Sequence, residues 1–182
     1  MVERLDPSLT SLIVGEEHSA AIVLCLTRLM EETGATHIML LDRAGQILSW
    51  QGGDQRQMEM MHLGALLAGT YATSREMARL LKEDGFRVLV QEGMREKIFT
   101  ETVEDRWLLV VVFDHQAHLG LVKVLAKRAT QSLAEILHII VEQNETRRSQ
   151  FRGQVRKAAI DTIDLLFNDD STAESNRTTE KK

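Results

Sequence analysis

The sequence of 182 residues contains one cysteine and one proline, and only 4% of its residues are aromatic. The lone cysteine, Cys25, excludes an intrachain disulfide and a zinc site built from several cysteines. This favours a reducing compartment, so we expect a cytoplasmic protein. No window reaches the roughly 18 consecutive apolar residues of a membrane span, and the stretch from Met1 to Asp6 lacks the charged-then-apolar pattern of a secretion signal.

Common catalytic and nucleotide-binding motifs are also missing. The chain has no Gly-Lys dipeptide, no G-x-G-x-x-G, no H-E-x-x-H and no G-x-S-x-G. The usual loops that cradle phosphates, bind catalytic zinc or expose a serine nucleophile therefore have no counterpart, and no cofactor is predicted. A net charge of -5 and an isoelectric point near 5.7 give no overall attraction to nucleic acid, so none is expected as a partner.

Two weak candidates for chemistry remain. His115 and His118 follow Asp114 at a spacing that a metal site could use, although solvated loop histidines explain them more simply. Cys25 lies among apolar neighbours on a predicted helix, which favours a buried thiol over a reactive one.

Hydropathy patterning predicts three long helices and five strands. Gly34 is placed to end the first helix, and Gly45 to turn the first hairpin. The order α-β-β-α-β-β-β-α predicts an α/β fold of the α+β type, with one five-stranded antiparallel sheet and helices on both faces. The predicted helices cover 16–33, 55–83 and 120–145, and the predicted strands cover 37–41, 46–50, 86–91, 97–103 and 107–113.

The last predicted strand, 107–113, differs in composition from the two predicted strands that precede it. Residues 107–113 are apolar throughout, whereas 86–91 and 97–103 include charged residues. A continuous apolar run is typical of a strand that is covered on both faces. We therefore expect 107–113 at the centre of the sheet and the other two nearer an edge.

The second predicted helix carries two unusual groups of residues. It opens with Met58, Met60 and Met61, which suit either an adaptable contact surface or gaps in a core. A band of small residues follows, where a partner could approach closely or where the helix could lie flush on its own sheet. Exposed helical glycines cost about 1 kcal/mol each relative to alanine, which favours close approach. The band comprises Gly64, Ala65, Ala68, Gly69, Ala72 and Thr73.

The chain is predicted to end in a tail that has no core of its own. Residues 155–167 form a short amphipathic segment, which docks either on its own domain or on a partner. From 168 onward no aliphatic residue is larger than Ala173, so we expect a disordered end. The predicted organisation is a leader at 1–16, a domain at 17–145 and a tail at 146–182.

The element order and three segments together resemble the roadblock light-chain family. The segments are Ile38-Met39-Leu40-Leu41-Asp42-Arg43-Ala44-Gly45, Leu67-Ala68-Gly69, and Val111-Val112-Phe113-Asp114 leading into Leu119-Gly120-Leu121-Val122-Lys123. The resemblance covers the predicted domain, and the tail also resembles the acidic-hydrophobic end of a bacterial branch of the family. It implies a roadblock-type fold and a homodimer that has no catalytic centre of its own.

By that resemblance the dimer regulates a Ras-like small GTPase of the MglA type, in bacterial cell polarity and motility. It would stimulate GTP hydrolysis by reshaping the active site of the GTPase, without inserting an arginine finger. The tail helix would make a second contact that favours nucleotide exchange or retention. Glu76 and Arg75 depart from the smaller residues typical of that partner surface. The implied partner-binding residues are Ala68, Ala72, Thr73 and Glu76 on the second helix, and Ile160, Ile163, Leu166 and Phe167 in the tail.

Two other functions fit the same sequence. A roadblock scaffold that recruits polarity or motility proteins, without changing a GTPase rate, shares every feature described so far. A small-molecule sensor of the PAS or GAF type also combines helices with five strands. Such a sensor needs a ligand cavity beside the sheet, and the bulky Trp107 and Phe113 argue against one.

Overall fold

The computed structural model describes residues 14–53 and 56–168. The predicted leader lies mostly outside the described residues, and so does the predicted disordered end except for Asn168. The order of helices and strands confirms the predicted fold class. The helices are α1 (Glu16–Thr33), α2 (Gln57–Leu80) and α3 (Leu119–Asn168), and the strands are β1 (His37–Asp42), β2 (Ile47–Gly52), β3 (Val88–Glu92), β4 (Glu96–Val103) and β5 (Trp107–Asp114).

The five strands form one sheet in the order β2-β1-β5-β4-β3, and each neighbouring pair is antiparallel. The apolar strand β5 lies at the centre and is buried from Trp107 to Phe113, as its sequence predicted. The edge strands are β2 and β3. The edge strand β3 is only five residues long and is partly exposed.

The β1–β2 turn is held by the carboxylate of Asp42. Its Oδ1 accepts hydrogen bonds from the backbone N–H groups of Ala44 and Gln46, at 2.9 and 2.8 Å. Gly45 has a φ of 86°, a left-handed conformation that glycine adopts without steric cost. The turn thereby brings Gly45 against Gly64 and Ala65 of α2.

Helices cover both faces of the sheet. On one face, α2 packs over a cluster that comprises Met39, Leu41, Met60, Leu67, Leu108, Val110 and Val112. Because side chains alternate along a strand, Leu40 and Leu109 point to the opposite face. There α1 lies beside the first part of α3, with the Cys25 Sγ 3.9 Å from the carbonyl oxygen of Ala129. Burial raises the pKa of the Cys25 thiol, so the thiolate is disfavoured.

The third helix is longer than the sequence predicted. We expected it to end near Glu145, but it continues through the polar stretch 146–153 to Asn168. Polar side chains do not by themselves end a helix, and Gly153 is the only helix-breaking residue type in that stretch. Contacts divide the chain into two compact units, Met1–Ile140 and Val141–Lys182, and α3 contributes to both. Within the described ranges, no helix is long and apolar enough to cross a membrane.

Candidate partner-binding site

The helix α2 has one face in the core and one face in solvent. Met60, Leu67, Ser74 and Ala78 are buried against the sheet. The opposite side is unusually apolar for a solvent-exposed helix face, because several large hydrophobic side chains stand among small ones. The exposed large hydrophobic residues of α2 are Met58, Met61, Leu66, Met77 and Leu80.

Three of the four predicted site residues on α2 lie on this outer face. Ala72, Thr73 and Glu76 are exposed. The hydroxyl of Thr73 donates to the carbonyl oxygen of Gly69 at 3.0 Å, and Glu76 pairs with Arg79 at 3.2 Å. These local bonds hold the polar side chains along the helix and leave Ala72 unobstructed.

Ala68 is placed differently. It is 7% exposed and is therefore part of the core rather than of the outer surface. Gly64 is also buried, whereas Ala65 and Gly69 are exposed. The small-residue band therefore extends from the outer face of α2 around to its inner face. A molecule resting on α2 would contact Ala72 and Thr73 before it reached Ala68.

The two glycines of the band meet different surroundings. A Cβ on Gly64 would lie 3.3 Å from the carbonyl oxygen of Gly45 and 3.5 Å from Ile47. A Cβ on Gly69 would have no neighbouring atom within 4 Å. Packing inside the protomer therefore explains the absence of a side chain at Gly64 but not at Gly69.

An apolar groove adjoins the start of this outer face. It has a volume of about 380 Å³ and lies between the β1–β2 turn and α2, with Ile47, Trp50 and Met61 among its lining residues. Met60 lies in the core, whereas Met58 and Met61 are exposed. The methionines at the start of α2 therefore have both of the roles that the sequence allowed. Met60 fills the core, and Met58 and Met61 form exposed surface.

The start of α2 is tied to the sheet by a charged residue. Arg56 lies within 2.8 Å of Glu59 and 2.7 Å of Glu96 on β4. Nearby, the buried ring of His37 stacks on Trp50 with 6.1 Å between ring centroids. Burial, reinforced by the charge of Arg56, lowers the pKa of His37. These contacts hold the start of α2 and Trp50 in place beside the apolar groove. None of the described residues that line this groove is charged.

A second cleft lies near the other end of α2. It has a volume of about 500 Å³ and is open to solvent, and its lining carries both signs of charge, including Arg75, Arg87, Glu83 and Asp105. Ligand cavities of sensor domains are enclosed and mostly apolar. This cleft is neither, and therefore gives the sensor interpretation little support.

The other candidate residues belong to elements other than α2. His115 and His118 are exposed in the loop before α3, and no group of three or more His, Cys, Asp or Glu in the described ranges is arranged to hold a metal. Ile160 is exposed on α3. Ile163, Leu166 and Phe167 belong to the helical backbone, but their side chains lie outside the described residues.

The sequence interpretation did not identify Trp50 and Ile47 as part of a surface. Both belong to the first hairpin, which carries no motif of its own. The available signal was the group Met58, Met60 and Met61 at the start of α2, because methionine is common both in core gaps and at adaptable contact surfaces. Identifying the groove required the three-dimensional position of the β1–β2 turn.

Comparisons with known proteins identify the fold of this chain. A model of the Roadblock/LC7 domain matches residues 22–113. MglB of Myxococcus xanthus is 30% identical with a TM-score of 0.65, over 71% of this chain and 96% of that chain. The gliding protein MglB of Thermus thermophilus is 34% identical with a TM-score of 0.65, over 69% and 95%. An MglB structure with a tetrameric arrangement is 32% identical with a TM-score of 0.67, over 75% and 99%. A search of curated proteins found no match.

Proposed function

This chain belongs to the Roadblock/LC7 domain family, and from that premise we propose that it is a homodimeric regulator of a Ras-like small GTPase of the MglA type. It has no catalytic centre of its own and stimulates GTP hydrolysis by the GTPase, in the cytoplasm, as part of bacterial cell polarity or motility. Its similarity to two MglB proteins over nearly their whole length supports this assignment.

The observation that carries the proposal is the open environment of Gly69 on an exposed helix face. A glycine inside a helix costs about 1 kcal/mol relative to alanine. Nothing in the protomer occupies the space that a Cβ on Gly69 would take. This open space supports the proposal that a backbone or side chain of another molecule approaches α2 at this point.

The side chains around Gly69 suit an indirect effect on the partner. Ala72 and Thr73 are too short to reach into a nucleotide site, and Arg79 is engaged with Glu76. The proposal therefore assigns charge stabilisation of the hydrolysis transition state to groups on the GTPase itself. The α2 face acts by holding the GTPase in the conformation in which those groups are aligned.

The homodimer is supported by the edge strand β3. The Arg87 carbonyl accepts a hydrogen bond from Thr102 on β4, at 3.0 Å. By the alternation of an antiparallel ladder, Val88 and Val90 then direct their backbone N–H and C=O groups away from β4. An unpaired edge of this kind pairs readily with a second copy. Antiparallel pairing about a two-fold axis places both α2 helices on the same face of a continuous sheet.

A charged substitution on α2 tests the proposed surface. Ala72→Arg places a long charged side chain where the partner approaches, and should weaken binding of the GTP-loaded GTPase at least about tenfold. The matched control is Ala20→Arg, which makes the same change at an exposed alanine of α1 on the opposite face of the sheet. Isothermal titration compares the two variants with the parent. Equal affinity of Ala72→Arg and parent would contradict the proposed surface.

The tail is proposed to make a separate contact with the GTPase. Its anchors are Ile160, Ile163, Leu166 and Phe167, which combine apolar side chains with the acidic residues between them. Replacing Ile160 and Phe167 by serine should change the rate of nucleotide exchange on the GTPase and leave the melting temperature of the domain unchanged. A lower melting temperature with normal exchange would instead indicate that the segment stabilises its own chain.

A further inference from the structure

The middle of α3 carries a concentration of positive charge that the proposed function does not use. Between Thr146 and Ile160 the sequence has five Lys and Arg residues and no Asp or Glu, whereas the whole chain has a net charge of -5. We call residues 146–160 the basic segment. Its cations are Arg147, Arg148, Arg152, Arg156 and Lys157.

The basic segment is helical, and the four cations whose side chains the structure describes are not neutralised by neighbouring carboxylates. Arg147, Arg152, Arg156 and Lys157 are all exposed, and none of them forms an ion pair with a described residue. Elsewhere on the described helices, Arg28 and Arg79 are paired with a glutamate of their own helix. The charge of these four cations is therefore available to an external anion.

A strip of apolar side chains runs through the same helix. Phe151 and Val155 are 67% and 52% exposed, and they lie one turn apart on the same side, with Ala158 continuing the strip. Arg147 precedes Phe151 by one turn, and Arg152 lies beside it. Long arginine side chains can extend to a charged layer while the apolar residues between them leave water.

We propose that the basic segment binds the surface of an anionic phospholipid bilayer. Helices that lie in the interface combine phenylalanine and aliphatic side chains with surrounding Lys and Arg, and clusters of four to eight such cations bind anionic headgroups. A nucleic acid duplex bound through its phosphates would engage the cations but leave Phe151 and Val155 in water. The bilayer interface accommodates both groups. The segment lies on the membrane rather than across it, because no described helix is apolar enough to span.

Vesicle binding by the full chain alone tests this inference, so that its outcome does not depend on any GTPase. The parent should sediment with vesicles of phosphatidylglycerol and phosphatidylcholine and remain free with phosphatidylcholine alone. Each cation near an anionic surface contributes about a fivefold factor in partitioning. Arg152→Gln combined with Arg156→Gln should therefore lower partitioning about thirtyfold.

The matched control removes the same charge from another part of the same helix. Lys123→Gln combined with Arg128→Gln changes two exposed cations of α3 that lie outside the basic segment, and should leave partitioning unchanged. Phe151→Ser should lower partitioning at least about tenfold with all charges retained. Circular dichroism of each variant verifies that the helix is intact.

Three results would overturn the proposal. The first is equal binding to vesicles with and without phosphatidylglycerol. The second is an equal loss of binding in the control pair and in the Arg152 and Arg156 pair, which would indicate a general charge effect. The third is retention of a fluorescent oligonucleotide by the parent without any vesicle binding, which would assign the basic segment to nucleic acid instead.

Discussion

Gly64 on α2 lies directly against Gly45 in the β1–β2 turn, so that a Cβ on Gly64 would be 3.3 Å from the Gly45 carbonyl oxygen. Gly69 on the same helix has no such neighbour. The first glycine lets the helix approach its own hairpin. The space beside the second glycine is open.

Alanine substitutions should separate these two roles. Gly69→Ala should raise the free energy of unfolding by about 0.5–1 kcal/mol, because alanine favours the helix and meets no obstacle. Gly64→Ala should not raise the free energy of unfolding in this way, because the added Cβ would force the backbone of the β1–β2 turn to move. Urea denaturation at two protein concentrations separates folding from dimerisation. A Gly69→Ala variant that is less stable at both concentrations would indicate an unrecognised contact inside the protomer.

Proline on the outer edge of β3 should affect dimerisation but not folding. Val90→Pro removes a backbone N–H that points away from β4, and edge strands tolerate proline at such positions. The dimer should dissociate into folded monomers, as measured by light scattering. Val90→Thr keeps the N–H and a similar side-chain shape, and should remain dimeric. A Val90→Pro dimer of parental stability would exclude pairing through β3.

The β4–β5 turn is strained and can be improved. Glu104 and Asp105 both have positive φ, at 50° and 54°, a conformation that costs most residues roughly 1–2 kcal/mol each. Asn-Gly suits this turn best. Glu104→Asn combined with Asp105→Gly should raise the free energy of unfolding by about 1 kcal/mol or more, as measured in urea. No gain would mean that the acidic side chains stabilise the turn by contacts of their own.

Glu101 should make stability depend on pH. The residue is 4% exposed, and its Oε2 has no hydrogen-bond partner. Burial raises the pKa of this carboxyl, opposed by the charges of Arg87 and Lys127. The native state therefore holds a proton more tightly than the unfolded chain, and stability falls as pH rises from the usual glutamate value of 4.5 through the raised pKa.

Glu101→Gln removes the cost of burying the carboxylate. Unfolding at neutral pH should require about 1 kcal/mol more than in the parent, and the difference should shrink toward acid pH. The two proteins are compared at each pH, because His37 also makes stability depend on pH. Burial lowers the pKa of His37, so both proteins lose stability below about pH 6.5. A constant difference at every pH would assign the effect to packing rather than to charge.

Much of the fold could be predicted from the sequence because local signals agree with the tertiary arrangement. Gly34 ends α1, with a φ of 69° and its N–H bonded to the carbonyl of Met30, as a C-terminal glycine should. The apolar composition of 107–113 identified the central strand because only a strand covered on both faces buries every side chain.

The site was less predictable. The family resemblance implied Ala68, Ala72, Thr73 and Glu76 together. It could not separate the buried Ala68 from the three exposed residues, because the limits of the buried face depend on how α2 tilts on the sheet. The end of α3 was missed for a different reason. A polar, charged stretch lacks hydropathy periodicity, yet its residues have good helix propensity.

The most direct test of the proposed regulation is single-turnover GTP hydrolysis by an MglA-type GTPase. The parent chain should accelerate hydrolysis, Ala20→Arg should accelerate it equally, and Ala72→Arg should not, while the chain alone hydrolyses no GTP. Tight binding without acceleration would instead support the scaffold alternative. Full acceleration by Ala72→Arg would contradict the assignment of this activity to the outer face of α2.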